Sequence, residues 1–246
     1  MKNITNPIFP ACSLLLAYGL KSYFSRADAA QLSWMLKPTA SLVSMATGIR
    51  FHMEPELGFV DSGHTLIIAP GCAGGNFMVI ALLLVAWTGI SRTHAIREKT
   101  VWLLLSPVIA YWATIAVNSI RVILSIYLYR APIYSAHVTR EGVHRLAGVI
   151  IYVSGLYLIQ GLIKRLLYLS GRRRLPAAQF QARSDNCQPI LWYLLIVIVV
   201  PLLNHPASLL SSLFLEHCAS VALGCLVVFL FFAGHTIILR KSREPQ

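Results

Sequence analysis

Apolar residues in this chain fall into long runs separated by short polar stretches. A helix needs about 20 such residues, at roughly 1.5 Å each, to cross the hydrocarbon core of a bilayer. Seven runs approach that length: 8–24, 32–49, 77–90, 101–118, 146–169, 190–203 and 217–239. The run 119–128 either extends the fourth helix or lies along the surface. Between the second and third runs, Gly58-Phe59-Val60 and the segment from His64 to Ile68 flank Asp61-Ser62-Gly63. Two β-prone stretches around a turn-forming triplet predict a short hairpin. Its second strand delivers the chain to Pro70, Gly71 and Cys72.

Composition agrees with this pattern. Of 246 residues, 57% are apolar and 12% are charged. A soluble domain carries about 25% charged residues. The net charge of +12 is not spread over a surface. It is concentrated between the apolar runs, and no basic–aromatic surface segment stands apart from them, so nucleic-acid binding is excluded. Arg92, Arg97 and Lys99 fill one connection; Lys164, Arg165, Arg172, Arg173, Arg174 and Arg183 fill another; Arg240, Lys241 and Arg243 end the chain. These stretches fall on one side of the layout, and basic residues favour the cytoplasmic side. The connection from Arg50 to Pro70 then lies outside, with Glu54, Glu56 and Asp61 against one arginine. Arg130, Arg140 and Arg145 against Glu141 run counter to this rule and are outweighed.

The fold class is therefore an all-α polytopic membrane protein. It has about seven transmembrane helices, or six if 8–24 does not span, and a short extracytoplasmic hairpin before Cys72. Residues 1–169 form the main membrane-embedded region. Residues 170–189 form a basic cytoplasmic linker, and residues 190–246 a two-helix membrane tail.

Five cysteines occur and none forms a CxxC pair, so no zinc motif is present. Cys12, Cys218 and Cys225 lie in apolar runs and read as small packing side chains. His52, His64, His137, His205, His217 and His235 show no pairing at ligand spacing, so no metal ligands are assigned. Cys72 is different. It stands where a polar loop becomes an apolar run, in Pro70-Gly71-Cys72-Ala73-Gly74-Gly75. The start of a helix favours a thiolate, and the glycines leave the thiol accessible. The layout puts Arg121 just past the outer end of the fourth helix and His144 just before the outer start of the fifth. Helix lengths alone thus bring Cys72, Arg121 and His144 to one interface. Arginine within a span costs about 2.5–3.5 kcal/mol on insertion scales, so it ordinarily has a partner or a task. Asn118 and Arg121 share a helix face. Gly148, four residues after His144, lets another helix approach closely.

Three blocks carry a family resemblance: Pro70-Gly71-Cys72-Ala73-Gly74-Gly75, Asn118-Ser119-Ile120-Arg121-Val122 and His144-Arg145-Leu146-Ala147-Gly148. In order and spacing they resemble the signature blocks of the exosortase and archaeosortase family, over roughly residues 36–164. The compact size is similar to that of the exosortase K subgroup. One departure is visible: the family's usual Cys-Ser-Gly reads Cys72-Ala73-Gly74 here. The resemblance implies a membrane-embedded cysteine protease and transpeptidase of the bacterial cytoplasmic (inner) membrane, with its site on the extracytoplasmic side. Its partners would be secreted proteins bearing a C-terminal sorting signal (motif, membrane helix, basic end), membrane lipids and an amine acceptor of unknown identity. Cys72 would be the nucleophile, Arg121 the stabiliser of thiolate or oxyanion, and His144 the general acid and base. Asn118, Gly74 and Gly148 would support them. No metal or organic cofactor is implied. Water in place of the amine would make the reaction hydrolysis.

Two other classes compete. A polytopic transporter or lipid-binding membrane protein without peptidase activity accounts for the helices and arginines. It predicts broken helices in an internal repeat, and no repeat is found. A non-catalytic membrane scaffold predicts that the three residues can be replaced without effect.

Overall fold

The computed structural model describes residues 7–135, 138–169, 180–204 and 211–241. Two helices open the chain, α1 (Ile8–Phe24) and α2 (Ser33–Thr47). Three strands follow: β1 (Phe51–Glu54), β2 (Gly58–Asp61) and β3 (Ile67–Ile68). A single 3-10 turn, Pro70–Cys72, leads into α3 (Gly75–Arg92), α4 (Ile96–Tyr129) and α5 (Arg140–Leu169). Then come α6 (Phe180–Leu194), a π-helical turn (Leu195–Val199), α7 (Val200–Asn204) and α8 (Ser212–Lys241).

Among the described residues, four helical segments are long and apolar enough to cross a membrane: Pro70–Arg92, Ile96–Tyr129, Arg140–Leu169 and Phe214–Gly234. Ile8–Phe24 and Cys187–Leu203 are shorter apolar helices. The expected span 32–49 becomes the 15-residue α2, roughly 22 Å long and short of the hydrocarbon core. It stops because Gly48 turns left-handed, with φ of 76°. Seven expected spans thus become four long candidates and two shorter apolar helices. The expected linker also shifts. Residues 170–179 lie outside the described residues, and from Phe180 the chain is already helical.

Helix α3 is the centre of the bundle. From Phe77 to Ile90 nearly every residue is buried, because α1, α4, α5 and α6 all pack on it. Its apolar residues run right round the helix because protein surrounds it. One core cluster runs from Leu36 through Phe77, Ile80 and Leu156 to Tyr193 and Val221, so the C-terminal helices share it. Tyr157 on α5 stacks on Phe232 of α8, with centroids 4.6 Å apart.

Prolines inside these helices each free the carbonyl four residues earlier, and an apolar surrounding requires a substitute donor. Pro107 frees the Leu103 carbonyl, which accepts from the Ser106 hydroxyl at 2.8 Å. Pro38 frees the Trp34 carbonyl, which accepts from the Tyr111 hydroxyl of α4 at 3.1 Å. Pro201 frees the Val197 carbonyl, to which His217 of α8 hydrogen-bonds. The second and third donors also tie one helix to another.

The predicted hairpin is the outer part of a three-stranded antiparallel sheet, ordered β1-β2-β3. Strand β1 pairs β2 from Phe51↔Asp61 to Glu54↔Gly58, and β3 is only two residues long. The turn is organised by Asp61. Its Oδ1 accepts from the Leu66 and Thr65 backbone N–H groups at 2.7 and 2.8 Å, and its Oδ2 from the Thr65 hydroxyl at 3.0 Å. These donors, led by the Leu66 N–H, hold the carboxyl below the usual aspartate range.

Connectivity decides where the site lies. Only Thr93 to Ala95 join α3 to α4, so the two helices run antiparallel. Helix α5 then returns beside α4. The start of α3, the end of α4 and the start of α5 meet at one end of the bundle. Arg92, Arg97 and Lys99, with Lys164 and Arg165, lie toward the opposite end.

Candidate functional site

Cys72 lies in the 3-10 turn that opens the helical segment and ends that turn; the α-helix α3 itself begins at Gly75. The turn uses its own donors, Cys72 N to the Ala69 carbonyl at 2.8 Å and Ala73 N to the Pro70 carbonyl at 3.0 Å. Arg121 lies within α4, which continues two further turns to Tyr129, so 119–128 extends the helix. His144 lies in the second turn of α5, which begins at Arg140. Helix hydrogen bonding overrides the polar residues that suggested ends there.

The three residues nevertheless converge, through a fourth. The Arg121 Nη1 donates to the Tyr152 hydroxyl at 3.1 Å. The Tyr152 hydroxyl donates to the Asn118 Oδ1 at 2.7 Å. The Asn118 Nδ2 donates to the Cys72 carbonyl at 2.6 Å. At the other end of the chain of contacts, the Arg121 Nη2 lies 3.2 Å from the His144 Nε2. Arginine only donates, so His144 accepts through Nε2 and is a neutral imidazole carrying its proton on Nδ1.

Each position is built for this arrangement. Asn118 is fully buried and Tyr152 nearly so, which makes their hydrogen bonds costly to lose. The Arg121 guanidinium also lies over the Tyr152 ring, 5.1 Å from its centroid. Phe77 of α3 packs against that ring, at 5.0 Å between centroids. Gly148 makes room for the arginine: a Cβ there would stand 2.9 Å from Arg121 Nε. That Nε is buried without a hydrogen-bond partner. Gly74 has φ of 79°, and a Cβ there would meet Thr114 at 3.0 Å and Asn118 at 3.2 Å. Both glycines therefore act through space they leave free.

His144 is exposed, and Cys72 is half-buried. The Cys72 thiol makes no hydrogen bond among the described residues, so thiol and imidazole are not joined directly. Ala73 is buried in the core, where its methyl packs among apolar neighbours. All five cysteines are free thiols. Cys225 is buried as expected, whereas Cys12 and Cys218 are half-buried.

Next to His144 is a cavity of about 270 Å³, between the end of α4 and the start of α5. Ser125, Tyr129, Tyr134, Arg140 and Glu141 contribute to its lining. Arg140 lies over the Tyr129 ring at 4.6 Å and the Tyr134 ring at 5.3 Å.

Tyr152 is the residue that sequence reasoning missed. A signal was present. His144, Gly148 and Tyr152 recur every four residues and so share one face of α5. The structure also brings together two histidines read as unpaired. His52, Glu54 and His64 offer ligand atoms that all lie within 4.8 Å of one another. His137 and His205 lie outside the described residues, as does the side chain of His235.

No protein-family model, curated protein or solved structure matches this chain.

Proposed function

We infer that this protein is a membrane-embedded cysteine peptidase and transpeptidase of the exosortase and archaeosortase kind. The observation that carries the reading is the hydrogen-bonded path from His144 through Arg121, Tyr152 and Asn118 to the Cys72 carbonyl. It joins all three sequence blocks at one end of the bundle. A packing cysteine and a lipid-anchoring arginine would not require it. The transporter reading has no comparable observation on its side.

The chemistry follows from the residues. With substrate bound, His144 takes the Cys72 thiol proton through a bridging water, since thiol and imidazole are not in direct contact at rest, and the thiolate sulfur attacks a peptide carbonyl carbon. The carbonyl π electrons move to oxygen, and Arg121 donates to that oxyanion. A preorganised donor of this type is typically worth about 10²–10³ in rate. As the oxyanion collapses, the C–N bond breaks and the imidazolium of His144 protonates the leaving amine. The acyl group remains as a thioester on Cys72. An acceptor amine then attacks the thioester, and Cys72 regains its proton. In the resting geometry Arg121 occupies the Nε2 lone pair of His144. The guanidinium must therefore turn from imidazole to substrate for His144 to accept a proton through Nε2. Substrate entry through the neighbouring cavity supplies the occasion.

The substrates are secreted proteins with a C-terminal sorting tail, cleaved on the extracytoplasmic face. The basic end of the bundle, opposite the site, supports that orientation.

Mass spectrometry of proteins trapped as thioesters on Cys72 tests the reading. One acyl-enzyme would give both substrate and cleavage position. Normal substrate processing by Cys72→Ala protein would overturn it. A membrane-impermeant thiol reagent should label Cys72 from outside the cell; labelling from the cytoplasm alone would reverse the orientation.

A further inference from the structure

Strand β1 presents alternate residues to opposite sides. Phe51 and Met53 pack against the core, so His52 and Glu54 share the other face. The connection after β2 folds His64 back to the same place. His64 has φ of 52°, in the left-handed region, and its N–H donates to the Asp61 carbonyl at 3.0 Å. The Asp61 carboxylate fixes the rest of that connection, so the approach of His64 is built into the turn.

The result is a convergence of three donors. The His52 Nε2 lies 3.0 Å from Glu54 Oε1, and the His64 Nε2 lies 3.6 Å from the same oxygen. Both imidazoles thus aim the same nitrogen at one point. A single histidine–carboxylate hydrogen bond needs only one of them. On a tetrahedral ion with bonds of about 2.0–2.2 Å, neighbouring ligand atoms stand roughly 3.3 Å apart. The two separations from Glu54 lie on either side of that value, and all three ligand atoms lie within 4.8 Å of one another. The side chains are partly open to water, which leaves a fourth position for solvent.

We propose that His52, Glu54 and His64 bind one divalent transition-metal ion of the zinc class. Two imidazoles and one carboxylate select such ions over magnesium and calcium, which take all-oxygen sites. The ion clips β1 to the β2–β3 connection. Strand β3 runs through Ala69 into Pro70–Cys72, so the clip stiffens the approach to Cys72. The site stands on its own geometry and does not depend on the reaction assigned to Cys72.

The test uses full-length, tag-free protein in detergent or nanodiscs, stripped with chelator and dialysed against limiting zinc. The parent should retain about one zinc per chain, with no displacement by excess magnesium. The His52→Gln/His64→Asn double variant should lose that zinc; asparagine is chosen because it tolerates the left-handed backbone at position 64. Glu54→Gln should weaken affinity by roughly tenfold or more. Cobalt(II) added to the parent should give visible absorption bands of tetrahedral intensity, a readout that needs no variant to fold. Equal zinc in the parent and the double variant would overturn the proposal. So would a parent that retains no zinc and gives only the weak spectrum of hydrated cobalt.

Discussion

Arg121 Nη2 and His144 Nε2 stand 3.2 Å apart, although 23 residues separate them in the chain. The contact joins the end of one long helix to the start of the next. Only a neutral imidazole can accept there. The same guanidinium reaches Tyr152 through its other terminal nitrogen, so one planar fork serves two partners.

Lysine cannot reproduce that fork. Arg121→Lys should leave the helices intact and lower substrate processing by about 10²–10³, the typical loss for one oxyanion donor. Processing kinetics beside a thermal unfolding curve checks it. Parent-like kinetics in a folded Arg121→Lys protein would remove Arg121 from the chemistry.

Tyr152→Phe deletes one hydroxyl and breaks two hydrogen bonds. The buried Asn118 Oδ1 loses its donor and Arg121 Nη1 loses its acceptor. An unsatisfied buried polar group costs about 1–3 kcal/mol, so both melting temperature and processing should fall. Stability unchanged in this variant would mean that the path through Tyr152 is not held in the native protein.

Gly148→Ala sets two effects against each other. Alanine gains about 1 kcal/mol of helix propensity over glycine. The new methyl would stand 2.9 Å from Arg121 Nε, so the arginine must move. Melting temperature should therefore change little while processing falls. A large loss of stability with normal turnover would reverse this account.

Gly74→Ala has no such compensation. At φ of 79° a non-glycine residue is strained by about 1–2 kcal/mol. Its Cβ would also press on Thr114 and Asn118. The variant should melt lower than the parent. Adding Thr114→Ala should recover only the part due to crowding, since the backbone strain remains.

Long-range composition was legible where one physical constraint acts alone. An apolar run is helical because the backbone must satisfy itself, and the first helix was readable to its ends at Ile8 and Phe24. Helix ends near charged residues were not. Arg121 and His144 look like boundary residues, yet both lie inside helices, because tertiary partners accommodate them. Asp61-Ser62-Gly63 was readable as a turn, whereas the pairing of Phe51–Glu54 with β2 was not. Phe51-His52-Met53-Glu54 alternates apolar and polar residues, but four residues are too few to name a pairing partner.

The sequence by itself determined the helical, membrane-type character of the chain and the three blocks around Cys72, Arg121 and His144. These depend on local composition and spacing, which a linear reading captures. Only the tertiary structure decided that Tyr152 and Asn118 link Arg121 to Cys72, and that His52, Glu54 and His64 meet. Hydrogen bonds are short and directional, so they depend on how helices and strands are rotated and offset against one another. Packing sets those quantities, and periodicity along the chain leaves them open.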